Sequence, residues 1–78
     1  MKSRKPDGRV LPGTIVKVEN YGLYVKTSAG QALVLIPDVC EGPIDLQKEY
    51  SPGDSVRVKL LFFVEQYDSY RATMLDVE

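Results

Sequence analysis

Residues 13–25 read GTIVKVENYGLYV and contain two strand-like segments on either side of Asn20. β-branched residues predominate in the first segment, 14–19, and this composition favours an extended backbone. In the second segment, 21–27, apolar residues alternate with others, which is the period of a strand with one buried face. Asn20 is a typical turn residue. The stretch therefore predicts two successive strands joined by a tight turn.

Three further stretches have strand character, at residues 32–36, 55 to about 66 and 70 to about 75. Gly30 can adopt positive φ in the hairpin turn before the first of them. Residues 38–54 lack a clean period, which indicates either a short helix or a packed loop. This order predicts an all-β domain, a five-stranded Greek-key OB-fold barrel, closed or partly open, with that insert between strands 3 and 4. An SH3-like barrel is the alternative, and the length of the insert favours the OB-fold.

The alternation along each strand predicts which side chains form the core. On the fourth strand it places Val56, Val58, Leu60, Phe62 and Val64 on one face and Arg57, Lys59, Leu61 and Phe63 on the other. The first strand leaves open whether Ile15 or Val16 points inward. The predicted core comprises Ile15 or Val16, Val18, Leu23, Val25, Leu33, Val56, Val58, Leu60, Ala72 and Met74.

Length and charge limit the possible organisation of the chain. Its 78 residues suffice for one domain, and the net charge of −1 is unlike the basic excess of a strong, non-specific nucleic-acid binder. Residues 1–9 are polar and carry Lys2, Arg4, Lys5 and Arg9, so we expect a flexible basic arm there, followed by one domain over residues 10–78.

Catalysis and cofactor binding have little support in the composition. The chain has no histidine and a single cysteine, Cys40, which excludes an internal disulfide and the usual kind of zinc site. We expect a free thiol, a cytoplasmic location and no enzymatic activity, metal or cofactor. The most apolar run, residues 60–64, is too short to cross a bilayer.

Four blocks resemble the S1 RNA-binding domain family. Residues 13–25 are similar to its glycine-led first strand and its aromatic-Gly-x-aromatic-Val second strand. Residues 30–39 (GQALVLIPDV) resemble Gly-x-x-Gly-Leu-Val-His-Ile-Ser-Glu-Leu, and residues 52–60 (PGDSVRVKL) resemble Gly-Asp-x-Val-x-Val-x-Val. Residues 71–75 (RATML) resemble the Arg-x-x-Leu-Ser ending. The resemblance implies an OB-fold that binds single-stranded RNA.

The family's binding positions fall on Tyr21, Tyr24 and Arg71, with Lys17 and Lys26 beside them. Tyrosine rings can stack on bases while cations neutralise phosphates, so these five residues are the predicted RNA site. The sequence departs from the family where Leu35 replaces its histidine and Pro37 its serine. With the low charge, this favours weak binding.

Two aromatic or apolar pairs admit alternative interpretations. Exposed together, Leu61 and Phe63 would suggest a protein partner, and the alternative function is a protein-protein interaction module on an S1-like barrel that has lost RNA binding. Coverage by the arm or the insert would instead bury them. Tyr67 and Tyr70 flank a predicted turn, where a cross-strand pair is favoured over an extension of the stacking surface.

Overall fold

The computed structural model describes residues 10–40 and 42–75, so the proposed arm lies outside the described residues. The five predicted strands are present, and their bounds are β1 (Val10–Glu19), β2 (Gly22–Thr27), β3 (Gly30–Leu35), β4 (Ser55–Val64) and β5 (Ser69–Thr73). They form a closed barrel in the order β1-β2-β3-β5-β4. The β3–β5 pair is parallel and the other four are antiparallel. The predicted five-stranded OB-fold barrel is confirmed.

The insert between β3 and β4 forms two single helical turns, α1 (Ile36–Val39) and α2 (Leu46–Glu49). Pro37 lies in the first turn of α1, where its missing N–H costs no helical hydrogen bond. Asp45 caps α2, since its carboxylate accepts from the Gln47 amide at 3.2 Å. Val39 and Leu46 are buried with the barrel core. Nothing helical in the described residues is long enough to span a bilayer.

The pairing of β1 with β2 is interrupted by a β-bulge between Ile15 and Lys17. The backbone N–H of Ile15 donates to the carbonyl of Asp54 at 2.9 Å, and its carbonyl accepts from Gly53 at 2.7 Å. Ile15 is buried, whereas Val16 is 47 % exposed. Ile15, and not Val16, therefore points into the core, which is the choice that the alternation left open.

The prediction that Leu33 belongs to the core is wrong. Ala32 and Val34 are fully buried, and Leu33 lies on the other face of β3 and is half-buried. The reason is the register, because Ala32 pairs with the buried Val25 of β2. The other predicted core positions are buried or pack partly buried against the core.

The predicted face of β4 is wrong beyond Leu60. A register shift between Leu60 and Phe62 makes Leu61 an additional residue and reverses the alternation. Phe62, expected inside, is 52 % exposed. Phe63, expected outside, is half-buried and packs edge-to-face on Tyr70, with ring centroids 4.9 Å apart. The exposed apolar pair on β4 is therefore Leu61 and Phe62. It is not the pair of Leu61 and Phe63, which the alternation had suggested as a partner surface.

Gly22 allows β2 and β3 to approach closely where β2 begins. A Cβ there would lie 2.5 Å from the backbone oxygen of Val34, in the middle of the sheet. Its neighbour Tyr21 is held at the point where β3 passes into α1, since the Ile36 amide donates to the Tyr21 carbonyl at 3.2 Å. The glycine thus fixes the start of β2 against the end of β3.

We predict that Gly22→Ala lowers the free energy of unfolding by about 1–3 kcal/mol, because the added methyl group has no space beside backbone atoms. Urea denaturation followed by circular dichroism measures this change. Gly42→Ala is the matched control, since a Cβ at Gly42 meets nothing within 4 Å. Equal stability of the two variants would contradict the close approach.

Candidate nucleic-acid interface

A groove of about 520 Å³ runs over the outer face of β2, β3 and β5 and reaches the 3₁₀ turn Glu65–Tyr67. It is open to solvent, and its walls combine aromatic rings, aliphatic side chains and a guanidinium. Its lining residues are Tyr21, Tyr24, Gln31, Leu33, Leu35, Tyr67, Ser69 and Arg71.

Strand pairing aligns four outward side chains in one row across the sheet. Lys17 of β1 pairs with Tyr24 of β2, Tyr24 with Leu33 of β3, and Leu33 with Arg71 of β5. Paired residues on one face have Cβ atoms about 5 Å apart, so each side chain can contact the next. The row places the aromatic ring of Tyr24 and the cation of Arg71 on either side of an aliphatic residue.

Tyr21 and Tyr24 form a fixed pair of rings at one end of the groove. Their hydroxyl oxygens are 2.7 Å apart in a hydrogen bond that either can donate. The ring centroids are 6.2 Å apart and the ring planes meet at 87°. The rings therefore form a corner, in which a flat group stacked on one ring meets the edge of the other.

The hydrogen bond with Tyr24 raises the pKa of Tyr21 to about 12, with smaller contributions from desolvation and from the charges of Tyr24 and Glu19. The bond favours the neutral phenol, because the Tyr21 hydroxyl can no longer donate in it once it is ionised. Tyr21 is thus neutral over the whole physiological range, and its face carries no negative charge that would repel a phosphate.

The two predicted lysines lie beside the groove, outside its lining. Lys17 adjoins Tyr24, but its ammonium is 3.0 Å from a carboxylate oxygen of Glu19. The hydrogen bond to Glu19 and the attraction of its charge raise the pKa of Lys17. Lys26 lies two residues along β2 from Tyr24 and pairs with Gln31, which does line the groove. The binding role of both lysines stays a prediction.

Leu33 and Leu35 give the groove an aliphatic floor that the sequence prediction missed. Leu35 lies where the S1 pattern has histidine, so an apolar side chain replaces a group that could stack and donate. The pairing of β3 with β2 turns both leucines to the face of Tyr24. Because the sequence of β3 is almost uniformly apolar, it does not indicate which of its residues face outward.

Tyr67 also belongs to the groove, contrary to the favoured interpretation as a partner of Tyr70. Tyr70 packs on Phe63, whereas Tyr67 is 63 % exposed and lines the groove. The turn ends at Asp68, whose φ of 51° is left-handed and lets the chain reverse into β5. This turn directs the Tyr67 side chain to the groove end beside Ser69.

The barrel topology, the insert and the positions of the four motif blocks define the class of this protein. The first block forms β1 and β2, the second β3 and α1, the third β4 and the fourth β5. The chain is an S1-like OB-fold domain, and this is a nucleic-acid-binding type of fold.

Solved structures support this assignment. The chain is similar to GSP13 from Bacillus subtilis, with 30 % identity, a TM-score of 0.75 and 86 % of this chain covered. It spans about half of that protein, 53 % of its length. It also resembles MJ1198 from Methanocaldococcus jannaschii over the whole length of both chains, with 16 % identity and a TM-score of 0.74.

A third neighbour comes from the a/eIF2alpha-aDim2p-rRNA complex of Pyrococcus horikoshii. It shares 15 % identity, has a TM-score of 0.73, and the match covers 95 % of this chain and 45 % of that one. At this identity the likeness concerns the fold. Comparison with protein-family models and with curated protein sequences finds no match.

We predict that Tyr24→Phe lowers the pKa of Tyr21 from about 12 toward its ordinary 10.0, because the substitution removes the hydroxyl partner. Ring-proton shifts of Tyr21 in an NMR titration measure this. Tyr67→Phe is the control, because no hydroxyl of the pair is changed. An unaltered Tyr21 pKa in Tyr24→Phe would contradict the hydrogen bond.

The same bond has a stability consequence at alkaline pH. Folding raises the pKa of Tyr21, so the neutral phenol stabilises the native state fully below about pH 10, and this contribution is lost as the pH rises toward 12. The difference in stability between wild type and Tyr24→Phe should therefore shrink over that range, as measured by denaturation at several pH values.

Proposed function

We propose that this domain binds single-stranded RNA in the groove, using Tyr21, Tyr24 and Tyr67 as stacking surfaces and Arg71 as the phosphate contact. The observation that carries the proposal is the presence of three tyrosines and a guanidinium in one open groove on the outer barrel face. Single-strand binders combine aromatic platforms with cations along the backbone. The rRNA complex that contains a structural neighbour supports the same class of ligand.

The groove favours unpaired nucleotides over a duplex. The flat surface of a base can pack against the ring of Tyr24 and the side chains of Leu33 and Leu35. That surface is accessible only when the base is unstacked. Among the described residues, no group of three or more histidine, cysteine, aspartate or glutamate side chains could hold a metal ion. The stacking faces and the cation of the groove are those of a binding site, and binding is the function that we propose.

The affinity we propose is low. One stacked base contributes about 1–3 kcal/mol, and Arg71 is the cation that lines the groove. Glu19 offsets the charge of Lys17 at a distance of 3.0 Å. We expect micromolar or weaker binding at physiological salt, which corresponds to a free energy of about −8 kcal/mol or less favourable. A handful of phosphate contacts gives a shallow dependence on salt.

Substitution of the two central groove residues tests this proposal. Tyr24→Ala should weaken binding of a short single-stranded RNA about tenfold through lost stacking. Arg71→Ala should weaken binding and also reduce the salt slope by about one unit, because one phosphate contact is lost. Fluorescence anisotropy over a series of salt concentrations measures both effects.

Arg57→Ala is the matched control for Arg71→Ala. Arg57 is an exposed cation on β4, paired with Pro12 of β1 and away from the groove. It carries the same charge, so general electrostatic attraction would make the two variants alike. Absence of RNA binding by wild type at low salt would refute the function, and equal binding by all variants would refute the site.

The second candidate function is a protein-interaction module, which the exposure of Leu61 and Phe62 at 40 % and 52 % favours. Two adjacent apolar side chains on a strand form a small patch that a partner could cover. Changing both to serine should leave the barrel folded and abolish any self-association seen in sedimentation velocity. Unchanged association would exclude this patch.

A further inference from the structure

We propose that Phe62 of β4 is an additional base-stacking residue, which contacts a nucleotide on the far side of Arg71 from Tyr24. This inference rests on the proposed function and extends it beyond the groove. No sequence motif points to Phe62, and the strand alternation placed it on the same face of the fourth strand as Leu60.

The bulge at Leu61 is what turns Phe62 outward. Leu60 pairs with Ala72 and both are buried, whereas Phe62 pairs with Arg71 on the opposite face. Without the additional residue, Phe62 would share the inward face of Leu60. The result is a phenylalanine ring that is 52 % exposed on a regular strand, where burial would be the favourable outcome.

Register pairing places Phe62 at the end of the row that crosses the groove. The complete row runs over all five strands as Lys17, Tyr24, Leu33, Arg71 and Phe62. Three inter-strand steps separate Tyr24 from Phe62, about 14 Å along the sheet at the usual spacing of about 4.8 Å. Aromatic rings thus occupy two positions of the row, with the guanidinium between them.

This order suits a strand of nucleotides better than it suits a protein. An RNA strand with a phosphate held by Arg71 continues in both directions from it, so that non-adjacent bases on its two sides can reach Tyr24 and Phe62, which lie about 14 Å apart. Phenylalanine offers only a face, and every base has a complementary π-surface. A protein docked on Phe62 would instead cover its register neighbour Arg71 and compete with RNA for it.

Oligonucleotide length separates the two ring positions in an experiment. A dinucleotide is too short to contact Tyr24 and Phe62 together, whereas an oligouridine of about eight nucleotides lies within the site size of one OB-fold. We expect Phe62→Ala to weaken binding of the longer RNA about five- to tenfold and to leave dinucleotide binding unchanged. Tyr24→Ala should weaken both.

Two further variants show whether stacking by the aromatic ring of Phe62 is what contributes to RNA binding. Phe62→Tyr keeps the π-face and should bind the long RNA like wild type, whereas Phe62→Leu keeps apolar bulk and should bind like Phe62→Ala. Leu61→Ala is the control for the adjacent exposed position. NMR titration of each variant gives the affinities and confirms that the barrel is folded.

The outcomes are distinct. Length-dependent loss in Phe62→Ala and Phe62→Leu, with retention in Phe62→Tyr, supports the proposal. If Phe62→Ala binds the long RNA like wild type while Tyr24→Ala binds it more weakly, the stacking role of Phe62 is overturned and the proposed function stands. The exposed ring would then favour contact with a protein partner. Wild-type protein that binds neither RNA overturns both.

Discussion

The parallel pairing of β3 with β5 is the contact on which both the barrel and its outer surface depend. It consists of the pairs Ala32–Tyr70 and Leu33–Arg71. Of the neighbouring strands in the barrel, only β1 and β4 lie farther apart in the sequence. Closure removes the exposed edges of both strands. It also brings Arg71 beside a surface otherwise built by β2 and β3. The Met74 amide, which donates to the Asp38 carbonyl at 2.7 Å, ties the end of β5 to α1 and supports this closure.

The strand number, the order of elements and the location of the insert could be read from the sequence because alternation and turn residues are local signals. Gly30, expected to reverse the chain, has a φ of 130° in the hairpin. Tyr21, Tyr24 and Arg71 could be brought together from the motif resemblance, and the structure places all three in one groove. Composition alone would not have connected Arg71 with the tyrosines, since their proximity depends on the β3–β5 register.

The facing of Val16, Leu33, Phe62 and Phe63 could not be read reliably, and the physical reasons differ. Leu33 lies in a run of apolar residues where both phases of the alternation look alike. Val16 lies at one bulge, and Phe62 and Phe63 follow another. The additional residue at a bulge reverses the phase of everything beyond it. A bulge depends on the pairing partner and on backbone contacts such as those of Ile15 with Gly53 and Asp54. Neither is visible in the strand's own sequence.

The hydrogen bond between the Tyr21 and Tyr24 hydroxyls also bears on conformational entropy. A side chain that becomes immobilised at an interface usually costs about 0.5–1.5 kcal/mol on association. Here the two rings restrain each other at 87° before any ligand arrives. Much of the ordering is therefore complete in the free protein. The same restraint favours one shape of the corner, and a ligand that fits this shape leaves the hydrogen bond between the two hydroxyls intact.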